Sequence, residues 1–203
     1  MRAHHILETM MIFGLLATPA AALTPPKIMV SVSGDSYHMS LKLTLKAPLK
    51  RVWNILTDYA RIKRLNPNVS QSKLIYRDGQ TLLRIRTKSC VLFICFPITQ
   101  TESLTTSPFT EIQGVVIPRL SSFRSGVSRW RLYPIKGGTR VDFDAVRVPA
   151  FYVPPVLGSW IIIRKLTAEM RETAKRLTAL AIAKSPHKAK IGQRAGARNA
   201  TAS

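Results

Sequence analysis

The chain has 203 residues, 31 Lys+Arg against 10 Asp+Glu, a formal net charge of +21 and 46% hydrophobic residues. That apolar content excludes a disordered polycation and suffices for one ordinary domain with a sizeable core, though not for two. The charge excess says little about fold but much about partners: nucleic acid, a membrane surface or an acidic ligand.

The first 22 residues read as a signal peptide. Arg2 is followed by the apolar run Met10 to Ala17 and by Pro19-Ala20-Ala21-Ala22, a small-residue pattern suited to cleavage after Ala22. Glu8 is untypical of such a leader. The alternative is an uncleaved anchor, but the run is well short of the ~20 residues a spanning helix needs. Cleavage removes Arg2 and Glu8 together, so the mature charge stays at +21. A periplasmic or secreted protein is expected, soluble or bound to a membrane surface there.

The folded domain is expected over residues 27–183. Ile28–Ser33 reads as a strand turning at Gly34-Asp35. Met39, Leu41, Leu43 and Leu45 then alternate with Ser40, Lys42, Thr44 and Lys46, a half-buried strand. After Ala47-Pro48, residues Leu49, Val52, Trp53, Leu56 and Tyr59 fall on one helical face. A second short helix is predicted from Ala60 to Leu65, stopped by Asn66-Pro67. About six antiparallel strands follow, to Pro149, with turns at Asp78-Gly79, Ser107-Pro108 and Gly137-Gly138.

A long helix is predicted from near Pro154-Pro155, with an apolar stripe of Leu157, Ile161, Leu166, Met170, Leu177 and Ala181. From Lys184 to Ser203 the chain has five Lys/Arg, no acid and no apolar period, and reads as a disordered basic tail. The fold class is α+β. One helix covers a sheet of this size only if the sheet curves around it, and the space enclosed is a natural apolar pocket.

Particular residues strengthen that reading. Ala47-Pro48 through Val52-Trp53, Leu56-Thr57-Asp58-Tyr59, Leu65-Asn66-Pro67-Asn68, and Pro149-Ala150-Phe151-Tyr152-Val153-Pro154-Pro155 before the helix resemble the START-like, helix-grip superfamily. That superfamily includes polyketide cyclase/dehydrase and lipid-transport proteins and coenzyme-Q-binding domains. The resemblance spans roughly residues 36–183. It implies a curved sheet wrapped around the C-terminal helix, and a cavity that carries lipids, quinones, sterols or polyketides.

Inward positions that would line such a cavity are Leu83, Ile85, Trp130, Phe143, Leu166 and Met170, with Tyr59 near an entrance. The same spacings also fit a solid core, since interiors are normally close-packed. Out of phase with them stand Lys42, Lys46, Arg84, Arg86, Lys88, Arg129, Arg131 and Arg140, a basic field on the outer surface. Such a field is either a solvated face or a docking surface for anionic membrane, attracted by ~1 kcal/mol per cation near the lipid. Of these, Lys42, Arg84, Arg86, Lys88, Arg129 and Arg131 are the expected anion surface.

Cys90 and Cys95 are the only cysteines. In one straight strand they lie ~17 Å apart on opposite faces. If Val91–Ile94 forms a hairpin turn they face each other at bonding distance, and an oxidising compartment favours pairing. The apolar tip Val91-Leu92-Phe93-Ile94 is then a membrane wedge. The alternative is a buried strand with two free thiols.

Catalytic signals are poor. There is no GxSxG, HExxH, P-loop, GxGxxG or CxxC motif, and the mature chain would keep only His38 and His187. No catalytic residue, metal site or cofactor is expected. Asp142 and Asp144 share a strand face, but beside Arg140 they read as surface ion pairs, and Asp58 reads as structural. The favoured function is a monomeric, non-enzymatic carrier of a hydrophobic, lipid-like ligand on anionic membrane. The competing readings are a cyclase/dehydrase-type enzyme using the same cavity and, disfavoured by the leader, a nucleic-acid-binding protein.

Overall fold

The computed structural model describes residues 25–91, 94–152 and 158–183. The leader, the basic tail, Leu92-Phe93 of the expected wedge and Pro154-Pro155 of the expected helix start lie outside the described residues.

Eight strands form one antiparallel sheet: β1 (Lys27–Ser33), β2 (Ser36–Leu45), β3 (Val69–Arg77), β4 (Gln80–Val91), β5 (Ile94–Ser107), β6 (Glu111–Val116), β7 (Phe123–Ile135) and β8 (Gly138–Pro149). Their order is β1-β2-β8-β7-β6-β5-β4-β3. Strands β3 to β8 form a continuous meander, and only the β2–β8 pairing joins strands far apart in the chain. Between β2 and β3 lie helix α1 (Leu49–Leu56) and a 3-10 segment, Tyr59–Arg64. The long helix α2 spans Gly158–Ile182.

The second short helix differs from the sequence expectation. It is 3-10, with Arg61 at a non-helical φ of −118° and bonds from Arg61 N to Asp58 O and Leu65 N to Ile62 O. So short a segment is not a stable α-helix. Asp58 takes ion pairs from Arg61 (2.6 Å) and Arg64, which pin the segment's start.

The hairpins turn where the backbone enters the left-handed region: Gly34 (φ 59°), Asp78-Gly79 (φ 50° and 72°), Phe109 (φ 62°) and Gly137 (φ 79°). Phe109 is the costly one, because its Cβ crowds the backbone at positive φ. Its ring packs in a tilted contact against Trp53 of α1, with centroids 5.6 Å apart, which holds the tip.

Register puts Leu41, Leu43 and Leu45 of β2 beside Phe143, Val141 and Thr139 of β8. Trp130 and Leu132 of β7 continue the same inward face. Against it pack Val52 and Leu56 of α1 and Met170, Ala174, Leu177 and Ala181 of α2. Leu41, Leu45, Val52, Val141 and Leu177 are among the largest fully buried side chains, each worth ~1.5–3 kcal/mol of transfer free energy. Arg51 of α1 donates to the carbonyls of Leu180 (3.0 Å) and Ala183, and so satisfies carbonyls the helix end leaves open.

Candidate functional site: an apolar cavity with a buried ion pair

Only the C-terminal half of α2 packs flat on the sheet. The preceding part, with Ile162, Leu166 and Met170 and reaching as far as Thr173, roofs a cavity of about 420 Å³. Around it stand, among others, the residues named from sequence, Tyr59, Leu83, Ile85, Trp130, Phe143, Leu166 and Met170. The alternation of β4, β7 and β8 made the strand members legible. Trp130 and Phe143 are cross-strand partners whose rings sit 4.3 Å apart, forming an aromatic wall.

The cavity also has a polar centre, which sequence reasoning missed. Glu102 of β5 and Arg147 of β8 point inward from strands that are not neighbours and form an ion pair across the floor. Their side chains are only 5% and 8% exposed. Ser128 Oγ of β7 lies 3.2 and 3.3 Å from the two carboxylate oxygens of Glu102. Arg147 also donates from Nη1 to Val146 O (2.8 Å) and from Nε to Gln100 Oε1 (3.5 Å). Gly114 makes room: a Cβ there would stand 2.6 Å from Glu102 Oε2 and 2.8 Å from Ser128 Oγ.

Burial pushes the Arg147 guanidinium below its ordinary range, and the neighbouring Glu102 carboxylate opposes that shift. A buried pair of this kind costs desolvation free energy that its mutual attraction repays only with good geometry and full hydrogen bonding. The sequence showed no evident acid–base pair directed inward; Glu102 is an inward acid, although its carboxylate is committed to Arg147. The signal was present, because Arg147 continues the inward phase of Val141, Phe143 and Ala145.

Tyr59 supplies a second polar group. Its ring lines the cavity, and its hydroxyl is buried without a hydrogen-bond partner among the described residues. Burial raises its pKa above the usual phenolic range. At one end of the cavity Asn68 Nδ2 donates to Glu169 Oε1 (3.0 Å), which also accepts from Lys165 Nζ (2.9 Å).

On the outer surface the expected basic field splits in two. In the centre, Arg131 pairs with Asp144, Arg140 with Asp142 (3.4 Å) and Arg129 with Glu111 (3.6 Å). The hydrogen bond to Asp144 raises the Arg131 pKa further. Lys42 stands directly across from Asp142 in register. At the β3–β4 end, Arg84 Nε donates to Thr101 Oγ1 (3.3 Å), while Arg86 and Lys88 are exposed and have no acidic partner among the described residues. Cys90 and Cys95 are register partners at this end, 3.9 Å apart at Cα and joined as a disulfide. Among the described residues no group of His, Cys, Asp and Glu could hold a metal ion.

A curved antiparallel sheet gripping a C-terminal helix over an apolar cavity defines a helix-grip protein of the START type. The model of the family described as "Polyketide cyclase / dehydrase and lipid transport" matches residues 37–181, and the chain belongs to that family. A search of curated protein sequences found no match.

Solved structures share the fold at low identity. A STAR-related lipid transfer protein from Xanthomonas axonopodis is 17% identical, with a TM-score of 0.59 over 79% of this chain and 95% of that one. The protein TTHA0849 from Thermus thermophilus is 15% identical, also with a TM-score of 0.59, over 71% of this chain and 96% of that one. The Zhui aromatase/cyclase from a Streptomyces species is 15% identical, with a TM-score of 0.52 over 71% of this chain and 92% of that one.

Proposed function

We propose that this protein is an extracytoplasmic carrier of a single apolar, lipid-like molecule with one polar end, loaded from and delivered to an anionic membrane. The observation that carries this reading is the composition of the cavity. Its walls are apolar and aromatic, and its polar groups converge at a few points, the pattern of a small-molecule site. The ligand's tail lies against Trp130, Phe143, Leu166 and Met170. Its polar end, a carbonyl, hydroxyl or quinone oxygen, meets the Glu102–Arg147–Ser128 group or the free hydroxyl of Tyr59. The family's description as lipid transport supports the class of cargo.

The extracytoplasmic setting rests on the leader-like N-terminus and on the Cys90–Cys95 disulfide, since such bonds persist in oxidising compartments. N-terminal sequencing of the mature protein should begin at Leu23. A retained Met1 in the membrane fraction would remove the cleaved-leader part of this reading.

The second reading is a cyclase/dehydrase-type enzyme, favoured by the family's other named activity and by the inward Glu102. General acid–base work needs a group free to exchange a proton, and Glu102 is held by Arg147 and Ser128. The described cavity lining contains no histidine. The carrier reading is therefore preferred.

The test is organic extraction and mass spectrometry of the full chain purified from its native host. One apolar species near equimolar with protein is expected, and Phe143→Ala should change its amount or identity. Repeated empty preparations would overturn the carrier reading.

A further inference from the structure

The carrier reading leaves open which surface meets the membrane. The whole basic face is a poor answer, because its central cations are already paired. Arg129, Arg131 and Arg140 each have a carboxylate partner on their own surface, and Lys42 faces Asp142. An anionic bilayer brought to that region would meet Glu111 and Asp144 together with the cations.

The β4–β5 end is different in three respects. Its cations Arg86 and Lys88 are exposed, with no acidic partner among the described residues. They line a notch with the Thr99 hydroxyl, a set of donors suited to phosphate oxygens, while Ser70, also on the notch, spends its hydroxyl proton on Arg86 O (3.1 Å). This notch shares Thr87, Lys88 and Ile98 with the main cavity, so the anion-binding and apolar surfaces meet along one edge.

Exposed aromatics lie on the rim of the same cavity. Phe96, Phe151 and Tyr152 line it while remaining 40%, 42% and 78% exposed. Trp160, 62% exposed, stands in the first turn of α2 beyond Tyr152; it does not line the cavity and lies about 200° around the helix from the lining residue Ile162. Amphipathic rings next to cations are the composition of an interfacial belt, with rings at headgroup depth and ammonium and guanidinium groups on phosphate. Among the described residues no helix is long and apolar enough to cross a membrane.

We propose that this rim is the membrane-docking surface. Arg86, Lys88 and Thr99 take the phosphate of an anionic bilayer lipid, and Phe96, Phe151, Tyr152 and Trp160 sit at the interface. The cavity mouth then faces the bilayer, and cargo passes between membrane and cavity without crossing water. The partner is an anionic phospholipid surface, not nucleic acid, because exposed apolar rings beside the notch match an acyl-chain boundary. The proposal rests on the carrier reading for the purpose of docking, though not for its location.

The experiment uses the full chain and vesicles of phosphatidylglycerol with phosphatidylcholine, in sedimentation and in tryptophan quenching by brominated phosphatidylcholine. Two charge-matched variants are compared, R86Q/K88Q at the rim and K42Q/R129Q in the central field. The rim variant should lose roughly 30-fold in affinity, from two cations at ~1 kcal/mol each. The central variant should lose less than threefold.

Quenching should occur on binding and disappear in Trp160→Phe, with thermal unfolding unchanged. Equal losses in the two charge variants would overturn the docking site in favour of a diffuse field. Binding without quenching of Trp160 would overturn the rim orientation. Tighter binding to a short RNA than to the vesicles, by a protein whose R86Q/K88Q variant loses both, would overturn the lipid assignment. Empty cavities by extraction, with rim-dependent docking intact, would sustain the docking surface and refute the carrier reading, so the two failures are distinguishable.

Discussion

The two ends of the interior are built from the same strands and helix, yet one is solid and the other hollow. At the closed end, Leu43, Leu45, Val52, Val141, Leu177 and Ala181 fill the space between sheet, α1 and α2. At the open end α1 contributes only its last residue, Leu56, the sheet continues through β5 and β4, and α2 roofs a cavity instead of filling one. The difference teaches that stability and binding are divided along α2. Its C-terminal half anchors the fold, and its N-terminal half is free to serve a ligand.

The largest effect expected lies at the hollow end. Glu102→Ala leaves Arg147 buried without its carboxylate and should cost ~3–5 kcal/mol, read by urea denaturation. Replacing both members with Leu and Met should recover most of that loss. If Glu102→Ala were as mild as a surface change, the polar centre would be solvated and not a buried pair.

At the closed end, Leu45→Ala and Leu177→Ala should each cost about 3 kcal/mol, because a full side chain is removed from a site with little room to collapse. The matched change Leu166→Ala at the hollow end should cost only about 1 kcal/mol, since it enlarges an existing space, and should alter ligand loading. Comparable losses at Leu166 and Leu177 would erase the distinction between the two ends.

The smallest effect is a pH dependence. The Tyr59 pKa is raised in the fold by burial. Above the ordinary tyrosine value near 10, the unfolded chain releases a proton that the folded chain keeps. Tyr59 therefore favours unfolding progressively as the pH rises from about 10 towards its folded value, and contributes no pH dependence below that. Denaturation midpoints of the wild type should fall across that range more steeply than those of Tyr59→Phe. Parallel curves would mean a hydrated hydroxyl.

Period-two alternation made the strand faces legible before any tertiary information. Leu83, Ile85, Trp130 and Phe143 face inward, and Lys42, Arg84 and Arg129 face outward, because successive side chains on a strand must point to opposite sides. Sequence spacing also indicated surface ion pairs for Asp142 and Asp144; Asp144 pairs with Arg131 on the surface, whereas Asp142 pairs with Arg140 but is itself buried. Glu102 and Arg147 were not recognised, although both stand in the inward phase of their strands. Charge argued for solvent more strongly than phase argued for burial, and their pairing spans 45 residues of chain.

The sequence by itself determined the strand and helix periods, the inward and outward faces, the turns and the excess of positive charge, because these follow from local backbone geometry and composition. Only the tertiary structure decided which cations are neutralised, where the interior stays open and which polar groups meet inside it. Those outcomes depend on strand order and sheet curvature. They bring β5 beside β6, and β8 between β2 and β7, and so set Glu102, Ser128 and Arg147 around one buried point.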